Sequence, residues 1–158
     1  MIRSGIGYDV HRLAEGRTLI LGGVEITYSR GLEGHSDADV LSHAIADALL
    51  GAVAAGDIGQ HFPNTDESIR GLSSIEILRR VAALLAEKKT KAKHIDVTVI
   101  AEEPKIAAHI PAMRKTIAAA ISLSESSISI KATTNERLGA IGRGEGIAAM
   151  AIATVEEE

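Results

Sequence analysis

The chain has 158 residues, of which 46% are hydrophobic, and a formal net charge of −4, so we expect one domain over residues 1–158 that binds no nucleic acid. It contains no cysteine, which excludes disulfides, thiolate metal ligands and a cysteine nucleophile. No apolar stretch reaches the roughly 18 residues of a membrane span, and no signal segment precedes the first strand pattern, so we expect a cytoplasmic protein without membrane contact.

The first third of the chain predicts two strands followed by a helix. Residues 2–13 and 18–26 are short apolar runs on either side of a polar turn, which is typical of neighbouring strands. Residues 35–57 carry apolar side chains at helical spacing as far as a terminating glycine. Ser36 followed by Asp39 fits a capping box at the start of this helix.

The rest of the chain mixes helices with strands. In order, it predicts a loop over 57–71, a helix over 73–89 with a Ser73–Glu76 capping box, a strand over 94–103, a helix that begins at Ile110 or Pro111, a strand over 127–136, a glycine-rich loop over 138–146 and a last strand over 147–158. This order predicts an α+β sandwich, in which helices cover one face of a mixed β-sheet. The last strand is apolar at nearly every position from 147 to 153, so we expect both of its faces to be buried, one of them by oligomerisation.

Three side chains could form a metal site. Asp9 and His11 lie two residues apart in the first predicted strand and therefore point to the same face. His43 is the best third ligand, because Asp39 and Asp47 flank it on the following helix, where a carboxylate could support a metal-bound imidazole. Such a site would keep the open position of catalytic zinc, but an exposed strand pair and a core histidine fit the spacing as well.

Two polar stretches near this helix could bind other parts of a substrate. His35 and Ser36 lie at its predicted N-terminus, where free N–H groups could bind an anion or simply be capped. Asp57 and Asp66 begin and end the polar stretch 57–66. These two carboxylates could bind sugar-like hydroxyls or remain solvated.

Two further motifs near the C-terminus are compatible with phosphate binding. Thr133 and Thr134 could donate hydrogen bonds to phosphate oxygens, and Glu136 could hold a hard cation such as Mg²⁺. Arg143 lies among three glycines, where the backbone and the guanidinium could both approach a phosphate. A polar strand end and a tight turn explain the two motifs equally well.

Taken together, these motifs resemble one enzyme family. The chain carries, in order, GYDVHRL, GHSDADVLSHAIADALLGA, GDIGQHFPNTD, AEEPKI, IPAMR, KATTNERLG and GRGEGIA, which is similar to the 2-C-methyl-D-erythritol 2,4-cyclodiphosphate synthase family over nearly the whole length. The resemblance implies a homotrimer of two-layer α+β subunits whose sheets face a threefold axis, with active sites at subunit boundaries. It also implies a lyase that cyclises 4-diphosphocytidyl-2-C-methyl-D-erythritol 2-phosphate and releases CMP, in the non-mevalonate route to isoprenoid precursors.

The resemblance further implies which residues form the site. The expected metal ligands are Asp9, His11 and His43 for Zn²⁺, or another divalent transition metal, and Glu136 for Mg²⁺ or Mn²⁺ bound with the substrate diphosphate. His35 and Thr134 are the expected catalytic residues, which orient or stabilise the reacting phosphates. The expected substrate contacts of one subunit are Asp9, His11, His35, Ser36 and, around the methylerythritol part, Asp57, Ile58, Gly59, Phe62, Pro63, Asn64, Thr65 and Asp66; those of its neighbour, around the cytidine, are Ala101, Glu102, Glu103, Pro104, Lys105, Ile106, Ala107, Thr133, Thr134, Asn135 and Glu136.

Two positions depart from the usual pattern of the family. Ala140 stands where the family often has Phe, and Tyr8 replaces a common Phe. In some members these positions line an apolar cavity on the threefold axis, which can hold an isoprenoid diphosphate with help from the arginine matched by Arg143. Arg143 therefore belongs to the expected substrate-binding residues, whereas the loss of the Phe at position 140 weakens the case for that second ligand.

Two alternatives would use the same residues. A metal-dependent phosphohydrolase would cleave a nucleoside diphosphate compound with water and leave a linear product. A trimeric binding protein would use a closed metal site only to stabilise its assembly. Product analysis distinguishes the first from a cyclase, and an open coordination position distinguishes the second.

Overall fold

The protein folds around a five-stranded mixed β-sheet, which a computed structural model describes over residues 1–157. The strands are β1 (Ile2–Glu15), β2 (Leu19–Leu21), β3 (Val24–Ile26), β4 (Arg30–Leu32), β5 (Thr90–Ile100), β6 (Ile128–Thr133) and β7 (Gly146–Glu157). The sheet has the order β4-β1-β7-β5-β6, in which β5 and β6 are parallel and the other neighbours antiparallel. β2 and β3 pair separately as a hairpin.

Helices connect the strands, so the predicted α+β fold with a mixed sheet is confirmed. They are α1 (Val40–Ala52), α2 (Ile58–His61), α3 (Ser74–Glu87), α4 (Ile110–Ile121) and α5 (Gly139–Gly142), with 3₁₀ turns at Glu67–Ile69, Ala107–His109 and Glu125–Ser127. The predicted start of α3 is confirmed, since Ser73 accepts a hydrogen bond from the Glu76 N–H, and so is the start of α4 at Ile110. None of the helices described within residues 1–157 has both the length and the apolar character to cross a membrane.

Some predicted boundaries were wrong. Residues 18–26 form a hairpin rather than one strand, because Gly22 and Gly23 turn the chain with positive φ angles of 57° and 73°. The short strand β4 was not predicted. The predicted loops 57–71 and 138–146 contain the one-turn helices α2 and α5.

The first helix begins later than predicted. α1 starts at Val40, so the capping box that joins Ser36 to Asp39 is wrong, and Ser36 does not lie at the helix N-terminus. Asp39 itself caps the helix by accepting a hydrogen bond from the Ser42 N–H. Its fully buried carboxylate also accepts from two N–H groups of the hairpin turn, so the same side chain holds the hairpin and the helix together.

β1 and α1 approach each other closely because β1 carries glycine where the helix lies. A Cβ at Gly5 or Gly7 would overlap backbone atoms of α1, at Ala48 and Ala44 respectively. Both glycines share the face of β1 that carries Asp9. The close approach therefore brings side chains of α1 within reach of that carboxylate.

The opposite face of the sheet is uncovered in a single chain. Apolar side chains form a stripe there, in which Tyr8 pairs with Met150 and Ile6 with Ile152 across β1 and β7. Their exposed fractions are 55%, 46%, 65% and 48% respectively. In the single chain, helices cover only one face of β7, and burial of the other face by oligomerisation stays a prediction.

Candidate active site

Asp9, His11 and His43 (the metal triad) lie together, as the candidate metal site requires. One ligand atom of each lies within 4.8 Å of the others. Oδ2 of Asp9 is 2.9 Å from Nε2 of His11 and 3.0 Å from Nδ1 of His43. β1 presents the first two side chains on one face and α1 supplies the third across the glycine contact, so the triad is built on packed elements rather than on loops.

The hydrogen bonds around the two imidazoles fit a bound cation. Nδ1 of His11 lies 2.7 Å from the carbonyl oxygen of Glu33, and Nε2 of His43 lies 2.8 Å from the hydroxyl oxygen of Ser74. A neutral imidazole has a single N–H. When both rings donate it outward, their remaining lone pairs face the Asp9 carboxylate, and a divalent cation between the three groups satisfies them all. Two imidazoles and a carboxylate suit Zn²⁺ and similar transition metals.

The charge of the triad follows from the same geometry. Burial alone would raise the pKa of the Asp9 carboxyl, but the hydrogen bonds and charges of His11 and His43 outweigh it and lower the pKa to about 2. The hydrogen bond to Asp9 raises the pKa of His11, against the opposing effect of burial. The carboxylate is therefore ionised at neutral pH and provides a negative charge for a cation.

The two carboxylates expected to support His43 have other partners, so that prediction was wrong. Asp39 caps α1, and Asp47 accepts a hydrogen bond of 2.8 Å from the first N–H of α2. The support comes from Ser74, whose hydroxyl and N–H both donate to the carboxylate of Asp37. Helical spacing predicts which residues share a face of α1, but it does not predict which other element packs against that face.

A pocket of about 370 Å³ opens beside the metal triad. The residues expected at the site that line it are Asp9, His11, His35, Ser36, His43, Ile58, Gly59, Phe62, Pro63, Asn64 and Asp66. Asp57 and Thr65 are not part of this lining; the Asp57 carboxylate caps α2 by accepting from the Gln60 N–H. The structure thus brings the strand, helix and loop motifs to one cavity, with the triad at its wall.

The other expected residues form a second group where β5 and β6 end side by side (the strand-end cluster, residues 101–107 and 133–136). Glu102 accepts hydrogen bonds of 3.0 and 3.1 Å from the N–H groups of Asn135 and Arg137. These bonds hold the segment after β5 against the segment after β6. The Glu136 side chain is left exposed, free to meet a ligand from outside the chain.

The metal triad and the strand-end cluster are separate within one chain. Asp9 and Ala132 lie at the same level of the sheet, on β1 and β6, but three strand spacings or about 14 Å apart. Within the described residues, the pocket lining includes no member of 101–107 or 133–136. Arg143 also lies outside the pocket, exposed and paired with a neighbouring glutamate.

Ser74, Asp37 and Arg70 are polar contributors to the site that were not predicted from the sequence. Ser74 and Asp37 hold His43 from behind, and Arg70 adds a cation to the pocket wall. Ser74 directly follows Ser73, the residue that caps α3. Because a helix start already explains two adjacent serines, the sequence pattern indicated no separate role for Ser74. The only available signal for Arg70 was its place as the one basic side chain besides histidine in the polar stretch 57–71.

Comparisons with known proteins agree with one another. The profile of the YgbB family matches residues 2–156. The 2-C-methyl-D-erythritol 2,4-cyclodiphosphate synthase of Alkaliphilus metalliredigens is 60% identical over 154 residues, which cover 98% of this chain and 97% of that protein. The fold resembles IspF of Plasmodium falciparum in its CDP complex, with a TM-score of 0.87 and 36% identity over 99% of this chain and 97% of that chain. It also resembles the bifunctional IspDF of Campylobacter jejuni, with a TM-score of 0.96 and 40% identity over 100% of this chain but only 43% of that chain.

Proposed function

Since this chain belongs to the YgbB family, together with curated 2-C-methyl-D-erythritol 2,4-cyclodiphosphate synthases, we infer that it catalyses that cyclisation. It is a metal-dependent lyase that converts 4-diphosphocytidyl-2-C-methyl-D-erythritol 2-phosphate into 2-C-methyl-D-erythritol 2,4-cyclodiphosphate and CMP, in the non-mevalonate route to isoprenoid precursors. The strongest single observation for this function is the metal triad at the wall of a pocket of about 370 Å³.

The reaction requires no general base on the protein. An oxygen of the 2-phosphate, already anionic at neutral pH, attacks the β-phosphorus. As the new P–O bond forms, the bond from the β-phosphorus to the bridging oxygen breaks, and CMP leaves with that electron pair. The obstacle is the repulsion between two anionic groups that must meet in line. Holding them in that geometry can recover roughly 7–11 kcal/mol of the barrier.

We assign Zn²⁺, or another divalent transition metal, to the metal triad, and Mg²⁺ or Mn²⁺ to Glu136 together with the substrate diphosphate. Bound there, such cations supply Lewis acidity and offset the charge on the phosphate oxygens. His35 borders the pocket beside the triad, and Thr134 accepts a hydrogen bond from the Glu136 N–H at 3.2 Å. These positions support a role for both side chains in orienting the two reacting phosphates.

The proposal includes a homotrimer of two-layer subunits, in which the metal triad of one chain meets the strand-end cluster of the next. The separation of the two groups within one chain supports this arrangement, because each alone is half of the expected site. The apolar stripe on β1 and β7 supports it as well, since contiguous exposed apolar surface marks an interface. A threefold axis along the stripe would bury Tyr8 and Met150 and place β7 in the centre of the assembly.

Two inactive variants should restore activity when they assemble together. His43→Ala removes a ligand of the metal triad and Glu136→Gln removes the carboxylate of the strand-end cluster, so neither homotrimer has a complete site. Every trimer that contains both variants has one of its three sites with both halves intact, so about a third of the wild-type activity is expected. The measurement is CMP release by trimers that are co-expressed with two affinity tags and purified on both. Mixed trimers as inactive as their parents would contradict a site shared between chains.

Phosphorus NMR tests the function directly. With the cytidyl diphosphate substrate, Mg²⁺ and Zn²⁺, we expect equimolar CMP and a cyclic diphosphate. CMP with a linear product would indicate a phosphohydrolase instead. An unchanged spectrum from folded, metal-loaded protein would indicate a binding protein.

A further inference from the structure

His43 also makes hydrogen bonds through Nε2, the ring nitrogen that does not face Asp9. Its Nε2 lies 2.8 Å from Oγ of Ser74, the first residue of α3. The Ser74 hydroxyl and N–H both donate to the carboxylate of Asp37, the N–H over 3.0 Å. Ser74 is fully buried and His43 is only 7% exposed, so water has little access to these bonds and they are correspondingly strong.

The direction of each proton follows from the donors and acceptors present. The Asp37 carboxylate can only accept, so the Ser74 hydroxyl donates to it. The Ser74 oxygen is then the acceptor for an Nε2–H of His43. When a cation in the triad takes the place of the hydrogen bond between Nδ1 and Asp9, Nδ1 is left with its lone pair for that cation. Nδ1 is the nitrogen that faces Asp9, at 3.0 Å. The chain of bonds from Asp37 through Ser74 (the relay) thus presents His43 in the tautomer that can bind a cation in the triad.

The helix that Ser74 begins does not account for its side chain. Ser73 is the cap of α3, and its Oγ accepts a hydrogen bond of 3.2 Å from the Glu76 N–H. The Ser74 hydroxyl turns inward to Asp37 and His43 instead. The two adjacent serines therefore divide into one that stabilises the helix and one that is directed at the triad.

We propose that Ser74 and Asp37 are positioning residues, which fix the orientation and tautomer of His43 for metal binding; this role rests on the metal triad of the proposed function. The backbone does the same for His11, through the Glu33 carbonyl oxygen at 2.7 Å from Nδ1. No side-chain substitution removes that carbonyl. The relay to His43 is made of side chains, so its contribution can be measured.

Ser74→Ala should weaken metal binding, whereas Ser73→Ala should not. Loss of an outer hydrogen-bond partner typically lowers metal affinity about 10–100-fold, and only Ser36 Oγ, at 3.2 Å from Nε2, then remains as an acceptor for His43. The measurement is the Co²⁺ dissociation constant of the purified full-length protein, from competition with a chromophoric chelator. Ser74→Thr keeps the hydroxyl and should restore the affinity. Ser73→Ala should lower the melting temperature with the Co²⁺ affinity unchanged.

A second readout separates positioning from a general loss of stability. In Zn²⁺-loaded protein with isotope-labelled histidine, the relay predicts an Nε2–H of His43 that exchanges slowly with water and is visible by NMR. Ser74→Ala should make this exchange fast. Asp37→Asn should weaken Co²⁺ binding less than Ser74→Ala, because the amide oxygen can still accept one of the two hydrogen bonds from Ser74.

The possible outcomes distinguish failure of the relay from failure of the metal triad. Equal Co²⁺ affinity and equal proton exchange in wild type and Ser74→Ala would overturn the relay while leaving the cyclase function intact. An equal loss of affinity in Ser73→Ala would also overturn it, because the effect would then come from α3 as a whole. A wild-type protein that binds no Co²⁺ would overturn the metal triad itself, and the relay with it.

Discussion

His43→Ala is expected to abolish cyclisation while leaving a folded protein. The substitution removes one of the three side chains proposed to bind the metal at the wall of the pocket. A bound divalent cation contributes several kcal/mol to the stabilisation of charge in the transition state, so we expect kcat/KM for CMP release to fall about 10³-fold or more. The measurement is steady-state CMP release with excess Zn²⁺ and Mg²⁺, together with the zinc content and circular dichroism of the same preparation.

His94→Ala is the matched control. His94 is exposed on β5 and pairs in register with Thr154, at the end of the sheet away from Asp9. It should retain wild-type activity and zinc content. Full activity in metal-replete His43→Ala would contradict the ligand assignment, and the same activity loss in both variants would show that the assay reports a general effect of removing histidine.

Gly7→Ala is expected to destabilise the fold strongly. A Cβ at this buried position would overlap the carbonyl oxygen of Ala44 and lie 2.8 Å from the nitrogen of Ala48. α1 would have to move away from β1, at a cost of about 3 kcal/mol or more, the upper end of the range for overpacked cores. Because the same contact sets the distance from His43 to Asp9, zinc affinity should fall as well. The measurement is the thermal unfolding midpoint at a fixed chain concentration, since assembly contributes to the apparent stability.

Gly51→Ala, in α1, should stabilise the fold rather than destabilise it. A Cβ at Gly51 would lie 3.8 Å from the Ile6 carbonyl oxygen, which is an ordinary contact. Alanine in place of a helical glycine stabilises by roughly 0.5–1 kcal/mol, so the midpoint should rise slightly with zinc affinity unchanged. A midpoint for Gly7→Ala at or above that of the wild type would contradict the steric role of Gly7.

Residues close together in the sequence were enough to predict part of the site. Two side chains two residues apart on a strand point the same way whatever the strand packs on, so Asp9 and His11 follow from β1 alone. The start of α3 is equally local, because Ser73 needs only the N–H of Glu76 as its partner. His43 was chosen because Asp39 and Asp47 flank it on the helix, and the ordered motifs indicated the same residue, although both carboxylates have other partners in the structure.

The partners of those residues depend on elements that are distant in the sequence. Asp39 was expected beside His43 and instead joins a hairpin turn to α1. Ser74, which does support His43, comes from a helix that begins 31 residues later. The period of a helix determines which side chains share a face, but the element packed on that face is not encoded in the period.

The pattern of the chain alone therefore determined the secondary structure in outline, the α+β class and the shared face of Asp9 and His11 on β1, because these follow from neighbouring residues. Tertiary structure decided how the ligands meet. α1 can approach β1 only where glycine leaves room, at Gly5 and Gly7, and this contact brings His43 to 3.0 Å from Asp9. Tertiary structure also left the apolar side chains of β7 uncovered on one face. The reason is the same in both cases: a distance between two elements depends on the side chains that both present at their crossing, and no single segment of the chain contains both sets.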